Sequence, residues 1–306
     1  MRPAMKISVP FLRILFLFAV GLSVLLFSCS SAPKEVEPDT PAAGEAAKYA
    51  EFGNSFFNQA RYPQAVEMYR LALNRYIRID NQRGAVSAYN ALAKTFLAMG
   101  NTEEAELMLQ SSIRVLKSLS PFNPEDSGIH SAVAETYGNY GELEYIRGDY
   151  TQALDWFDQG LTLVSAESGP DGYAILMHNR GTALHKLERE TEARQSINEA
   201  LEINLANDNL YEIASNYYML AVLDLNADSV EGALEHALKA LTYDRSTENS
   251  PGIGQDLFLL ARIEDSRGNT EKADGYLDRA EAIFHTIGFT GTVEAIEEYR
   301  KLRTEK

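Results

Sequence analysis

The sequence predicts an all-α protein: a right-handed α-solenoid of about six helix pairs, closed by a C-terminal capping helix. Three observations carry this. Alanines recur at Ala65, Ala105, Ala153, Ala193, Ala233 and Ala273, with spacings of 40, 48, 40, 40 and 40 residues. Turn-forming clusters at 120–128 (SPFNPEDSG), 167–172 (ESGPDG) and 246–252 (STENSPG) separate the copies. No alternating apolar pattern of the kind that half-buried strands need runs through the chain. Self-similarity at a fixed period of this size is the mark of a stacked repeat architecture.

The N-terminus comes first. Arg2, Lys6 and Arg13 precede or border an apolar run from Ile14 to Phe27, and no acidic residue occurs before position 29. The run has 14 residues, short of the ~20 that a bilayer span requires. It ends in Leu26-Phe27-Ser28-Cys29-Ser30, and Cys29 is the only cysteine in the chain. This pattern resembles a bacterial lipoprotein signal, whose small-residue box ends in the cysteine that becomes lipidated. Phe27 is bulkier than that box usually holds. The alternative is an uncleaved membrane anchor with Cys29 incidental. Met1 and Met5 would each begin an n-region of this kind. The resemblance implies a signal peptide over 1–28 and lipid attachment at Cys29. Because Ser30 rather than an aspartate follows the cysteine, it also implies the outer membrane of a bacterial cell envelope, facing the periplasm.

Residues 29–45 read as a flexible Pro/Glu-rich tether, broken by Pro33, Pro38 and Pro41. Sixteen flexible residues span roughly 20–25 Å, so the folded part would stand just off the membrane.

The repeats occupy 46–290. The frame Tyr49-x-x-Phe52-Gly53-x-x-Phe56 … Ala65-x-x-x-Tyr69-x-x-Ala72 returns as Tyr89, Leu92, Ala93, Phe96, Ala105, Leu109 and Ser112. It returns at Tyr137, Tyr140, Gly141, Tyr150, Ala153, Phe157 and Gly160, and again at Gly181, Leu184, Ala193, Ile197 and Ala200. The fifth copy holds Tyr217, Leu220, Ala221, Ala233, Ala237 and Ala240; the sixth holds Leu257, Leu260, Ala261, Ala273, Leu277 and Ala280. The frame resembles the tetratricopeptide repeat, in its 40-residue form. Departures are visible: Tyr, Met or Leu stands at the tryptophan position, Ile77 and Lys117 stand at the proline position, and the period is 40 rather than 34. In that form a D-x-x-G-type turn precedes the next repeat, and Asp80–Gly84 looks like one.

Each frame position has a physical task. Gly53, Ala93, Gly141, Gly181, Ala221 and Ala261 let the first helix of a pair approach the second. Large residues such as Tyr69, Leu109, Phe157 and Leu277 fill the space between repeats. Gly100, Gly148 and Gly268 are placed to end helices. Asn101-x-x-Glu104 and Asp228-x-x-Glu231 have the spacing of reciprocal caps. Over 291–306, Val293, Ile296, Tyr299 and Leu302 form an apolar stripe that would cover the last repeat, with Glu297, Glu298, Arg300 and Lys301 facing water, as a solenoid end requires. Thirteen helices follow.

Composition excludes several function classes. The net charge is −16, from 28 basic and 44 acidic residues. Without the first 28 residues it becomes −19, which repels phosphate backbones, so no nucleic-acid partner is expected. One cysteine allows neither an internal disulfide nor a Cys-rich metal site. No phosphate-binding glycine loop, nucleophile elbow or H-E-x-x-H occurs. The expectation is a non-enzyme without cofactor or metal.

The resemblance implies a concave groove lined by first helices. Its candidate positions are Asn54, Phe57, Asn90, Lys94, Glu142, Tyr145, His178, His185, Tyr218, Phe258 and Arg262. That lining is aromatic and mildly polar, suited to a peptide segment or a docked helix. The chaperone-type carboxylate clamp of some family members would need basic and amide residues where this chain has Ala50, Asn54, Ala91, Glu135 and Asn139; only Asn54 matches. His178 and His185 share a helix face. With Glu142 they would make a metal or pH-sensitive site; the plainer reading is two groove-lining side chains. Tyr137, Tyr140 and Tyr150 fall at packing positions, while Tyr145 reads as a binding residue. The expected function is a lipid-anchored envelope scaffold that binds another protein. The alternative is a transport accessory that pairs with a periplasmic solute-binding protein and holds a small hydrophobic ligand.

Overall fold

The structure, a computed structural model, describes residues 41–119 and 127–304. Cys29, the signal segment, residues 29–40 of the tether and most of the 120–128 cluster lie outside the described residues.

Thirteen helices make up the described residues: α1 (Pro41–Asn58), α2 (Tyr62–Arg78), α3 (Gln82–Ala98), α4 (Thr102–Ser118), α5 (Ser127–Arg147), α6 (Tyr150–Leu161), α7 (Pro170–Lys186), α8 (Glu190–Ala206), α9 (Leu210–Asn226), α10 (Val230–Ser246), α11 (Ser250–Ser266), α12 (Thr270–Thr286) and α13 (Thr290–Thr304). None of them is long and apolar enough to cross a membrane.

The 40-residue period is a doubled 20-residue one. Nine of these helices have 17 residues, and for all of them except α4 a three-residue turn completes the unit. One turn residue takes a left-handed backbone, and these residues mark the period: Ala60, Asp80, Gly100, Gly148, Glu188, Asp208, Asp228, Glu248, Gly268 and Gly288. At Gly100 the Asn101 amide donates back to the Phe96 carbonyl at 2.9 Å, the closing bond of a Schellman cap. The irregular step of 48 falls around α5, which has 21 residues, and α6, which has 12.

Three sequence expectations change. Asn101 caps α4 without a side-chain bond, and Asp228 is the left-handed turn residue that precedes the cap Ser229. Neither forms a capping box. The caps that do form are Asn81 to the Gly84 amide at 2.9 Å, Asp149 to the Gln152 amide at 3.0 Å and Asn249 to the Gly252 amide at 3.3 Å. Helix α1 already runs at Pro41, inside the segment read as tether. Arg300 is part-exposed but ion-paired rather than free in water. It bridges Asp278 at 2.6 Å and Glu281 at 3.3 Å on α12.

The core follows the frame. All six repeating alanines are fully buried. So are Leu109, Phe157, Ile197 and Leu277. The small frame residues do permit close approach: a Cβ added at Gly53 would sit 2.5 Å from the Tyr69 ring, and one at Gly181 would sit 2.7 Å from Ile197. Ile296 of α13 is buried against the last repeat, with Val293 and Tyr299 packed beside it.

Curvature comes from unequal layers. The first helices touch one another in series, α3 to α5, α5 to α7, α7 to α9 and α9 to α11. The second helices pack mainly on first helices, so they form the splayed, convex layer. The turn of the solenoid is tight enough to bring its ends together: Tyr62 of α2 stacks against Phe289, which precedes α13.

Candidate concave binding face

Three junctions between consecutive first helices, α3–α5, α5–α7 and α7–α9, each carry a polar rung. Between α3 and α5, the Thr136 hydroxyl donates to Asn90 Oδ1 at 3.0 Å and Asn139 Nδ2 donates to the Asn90 carbonyl at 3.3 Å. Between α5 and α7, Asn179 Nδ2 donates to Glu142 Oε1 at 3.0 Å. Between α7 and α9, Asn216 Nδ2 donates to His178 Nδ1 at 3.0 Å, and Asn204 Nδ2 in turn donates to Asn216 Oδ1 at 3.3 Å.

Burial sets the protonation of these rungs. It pushes the Glu142 carboxyl up to about 7, against the pull of Lys94 and the Asn179 bond. It pushes His178 down to about 4, so the imidazole is neutral and accepts at Nδ1. A buried polar group that is hydrogen-bonded fixes register between apolar surfaces that would otherwise slide. The rungs thus hold the concave layer together.

Lys94 adds a cation to this face. Its Nζ lies 5.4 Å from the Phe57 ring centre. Between α9 and α11 the rung is replaced by a cavity of about 20 Å³, lined by His178, Thr182, Ser215, Tyr218, Asp244, Asn249, Gln255 and Asp256. Gly252 belongs to its wall. A Cβ there would strike the Asp244 carboxylate, so glycine lets α11 close over it.

The tetratricopeptide-repeat family model matches residues 45–118 and 132–206, and the helix pairs above continue the same frame to residue 290. The chain is a tetratricopeptide-repeat protein. Solved structures with this fold include a Rap protein complexed with competence and sporulation factor, at TM-score 0.60 and 17% identity, covering 82% of this chain and 69% of that one. Aspartyl phosphate phosphatase F from Bacillus subtilis aligns at TM-score 0.59 and 12% identity, covering 86% and 72%. PilW, a type IV pilus biogenesis factor, aligns at TM-score 0.50 and 17% identity, covering 78% and 94%. At these identities the likeness is one of fold. No curated protein matches the chain significantly.

The tetratricopeptide frame sorts the eleven candidate groove residues in two. Asn54, Phe57, His185 and Arg262 are part-exposed. Asn90, Lys94, Glu142, Tyr145, His178, Tyr218 and Phe258 are buried. The reason is the tight turn: neighbouring first helices close over side chains that a wider groove would display.

Tyr145 requires a correction. It is 1% exposed and packs on Tyr150 with ring centres 5.1 Å apart, so it belongs to the core rather than to a binding surface. Tyr137 and Tyr140 pack on Trp156, at 5.3 and 4.9 Å, as their frame positions require. Asn54 accepts from the Tyr69 hydroxyl at 2.7 Å, so its carbonyl is engaged within the first helix pair.

The two histidines do not act as a unit. His178 bonds Asn216, whereas His185 Nδ1 meets Glu190 at 3.0 Å and its Nε2 meets Asn226 at 3.3 Å. Among the described residues no group of three or more His, Cys, Asp or Glu is placed to hold a metal ion.

Sequence reasoning missed Asn179, Asn216, Gln255, Asp244 and Asp256. Asn179, Asn216, Asp256 and Gln255 sit one to three residues from a groove position that was named, so a repeat-wise alignment of polar residues on first helices would have found them. Asp244 lies in the last turn of a second helix and carries no such signal.

Proposed function

We propose that this chain is a non-catalytic scaffold of the bacterial cell envelope, lipid-anchored at Cys29, that binds another protein through its concave layer. The observation that carries the reading is the serial packing of first helices into one continuous inner layer. Part-exposed Phe57, His185 and Arg262 lie along it. Tetratricopeptide solenoids present this layer to protein segments, and the Rap structure holds a factor by its own description. The cavity in this layer is of water size, too small for a hydrophobic ligand, which supports a protein partner. Phosphatase chemistry is not carried over from the Bacillus neighbour, since that likeness is in fold at 12% identity.

Anchoring rests on the apolar run ending at Leu26-Phe27-Ser28-Cys29. Its outer-membrane destination rests on Ser30. Feeding cells an alkyne-tagged fatty acid tests both. The wild-type chain should take up the label and pellet with outer membranes, while Cys29→Ser should do neither. An unlabelled, soluble wild-type chain would remove the anchor from the account.

A further inference from the structure

Asp244 lies in the last turn of α10 and Asp256 on α11, 5% and 0% exposed. Asn249 Nδ2 donates to Asp244 Oδ1 at 2.8 Å. Both Asp256 oxygens and Gln255 Nε2 have no hydrogen-bond donor or acceptor among the described residues, and burial, reinforced by the neighbouring Asp244 carboxylate, pushes the Asp256 carboxyl up. Among the described residues neither aspartate forms an ion pair, although buried carboxylates are normally paired. All three residues line the cavity at the α9–α11 junction.

Size and chemistry together restrict the occupant. About 20 Å³ admits one water-sized head group; a carbon stem attached to it would leave past Asp244 and Gln255, each 5% exposed. A water molecule there would serve Gln255 but bring no charge to the two acids. A primary ammonium is the same size, offers three donors and no acceptor, and neutralises the carboxylate it meets. Rotation of the Gln255 amide would turn its carbonyl oxygen towards that donor. Of the charged groups whose field reaches the cavity, Arg245 acts on Asp256 and Arg262 acts on Tyr218. Tyr211 feels Asp244. His178 is neutral.

We propose that Asp244, Asp256 and Gln255 form a pocket for a primary ammonium group, presented by a lysine side chain of the bound protein. The source of the amine rests on the scaffold reading above; the pocket itself does not. In the complex Asp244 is ionised and Asp256 keeps its proton, so binding tightens as pH rises.

Thermal unfolding of the full chain at constant ionic strength tests this. The probes are methylammonium and Nα-acetyl-lysine N-methylamide, with tetramethylammonium as the control. Both probes should raise Tm saturably while tetramethylammonium does not, and Asp244→Asn should abolish the difference. Asp256→Asn serves if Asp244→Asn does not fold. Methylammonium acting alone would keep the ammonium pocket and overturn the lysine source. No difference from tetramethylammonium would overturn the pocket and leave it a water site. Neither failure touches partner capture, which is read separately by crosslinking.

Discussion

The Tyr62 ring, at the start of α2, stacks on the Phe289 ring, just before α13, with centres 6.2 Å apart and planes 23° apart. Phe57 continues this contact on one side at 5.4 Å and Phe284 on the other at 6.2 Å. The first and last repeats therefore meet through an aromatic ladder, and the concave layer lies inside a closed turn. Such a ring pair contributes about 0.5–1.5 kcal/mol beyond its burial, small beside the helix-pair cores. Tyr62→Ala should open the turn without melting it. Small-angle scattering should show a larger radius of gyration at unchanged helical circular dichroism, and Phe289→Ala should add little to it. An unchanged radius would mean the ends are held by other contacts.

Close helix approach predicts opposite outcomes at two glycines. At Gly181 a methyl group would meet Ile197 at 2.7 Å and the Ala193 carbonyl at 3.0 Å. Gly181→Ala should therefore cost about 1–3 kcal/mol, despite its better helix propensity. Gly275, exposed within α12, has nothing near it. Gly275→Ala should stabilise by about 0.5–1 kcal/mol. Urea midpoints of the two variants read this directly.

The aspartate pair predicts a pH dependence. Burial raises Asp244 to about 7, and burial together with the neighbouring Asp244 carboxylate holds Asp256 well above the usual carboxylate range. Between roughly pH 4 and pH 7 the folded chain keeps protons that the unfolded chain has released. The stability these groups contribute is complete below the unfolded carboxylate range and lost as pH rises through about 7. Asp256→Asn removes that loss. Its stability relative to wild type should improve between about pH 5 and pH 8 by more than about 1.4 kcal/mol, one pKa unit. Comparing variant with wild type cancels the Glu142 and His178 titrations. A flat difference would place the ionised pair in contact with water.

Tyr145 predicts a large cost. Removing a ring that is 1% exposed should destabilise the chain by about 3–5 kcal/mol, so loss of binding by Tyr145→Ala would report on the fold. Chemical denaturation of Tyr145→Ala distinguishes this from a surface tyrosine, whose loss would leave the midpoint within about 0.5 kcal/mol of wild type.

The repeat frame was legible because its residues do one local thing each. Ala65 and its equivalents, Gly53 opposite Tyr69, and Gly181 opposite Ile197 specify contacts between neighbouring helices, and such contacts recur with the period. What depends on the summed rotation of all repeats was not legible. Tyr62 and Phe289 meet only because small rotations accumulate to a near-closed turn, and that same turn buries Tyr145, Glu142 and His178. Turn chemistry was partly misread. Asn101 and Asp228 have the spacing of caps, yet Asp228 takes the left-handed position itself, a role that Gly100 and Gly268 fill elsewhere.

Site-specific photocrosslinking in the native cells tests the central claim most directly. The crosslinker is placed at Phe57, His185 or Arg262 on the concave layer, and at Leu107 or Leu238 on exposed second-helix surface. Scaffolding through the inner layer predicts one discrete protein adduct from the concave positions and none from the outer ones. The same adduct from Leu107 or Leu238 alone would contradict it and move the binding surface to the convex side.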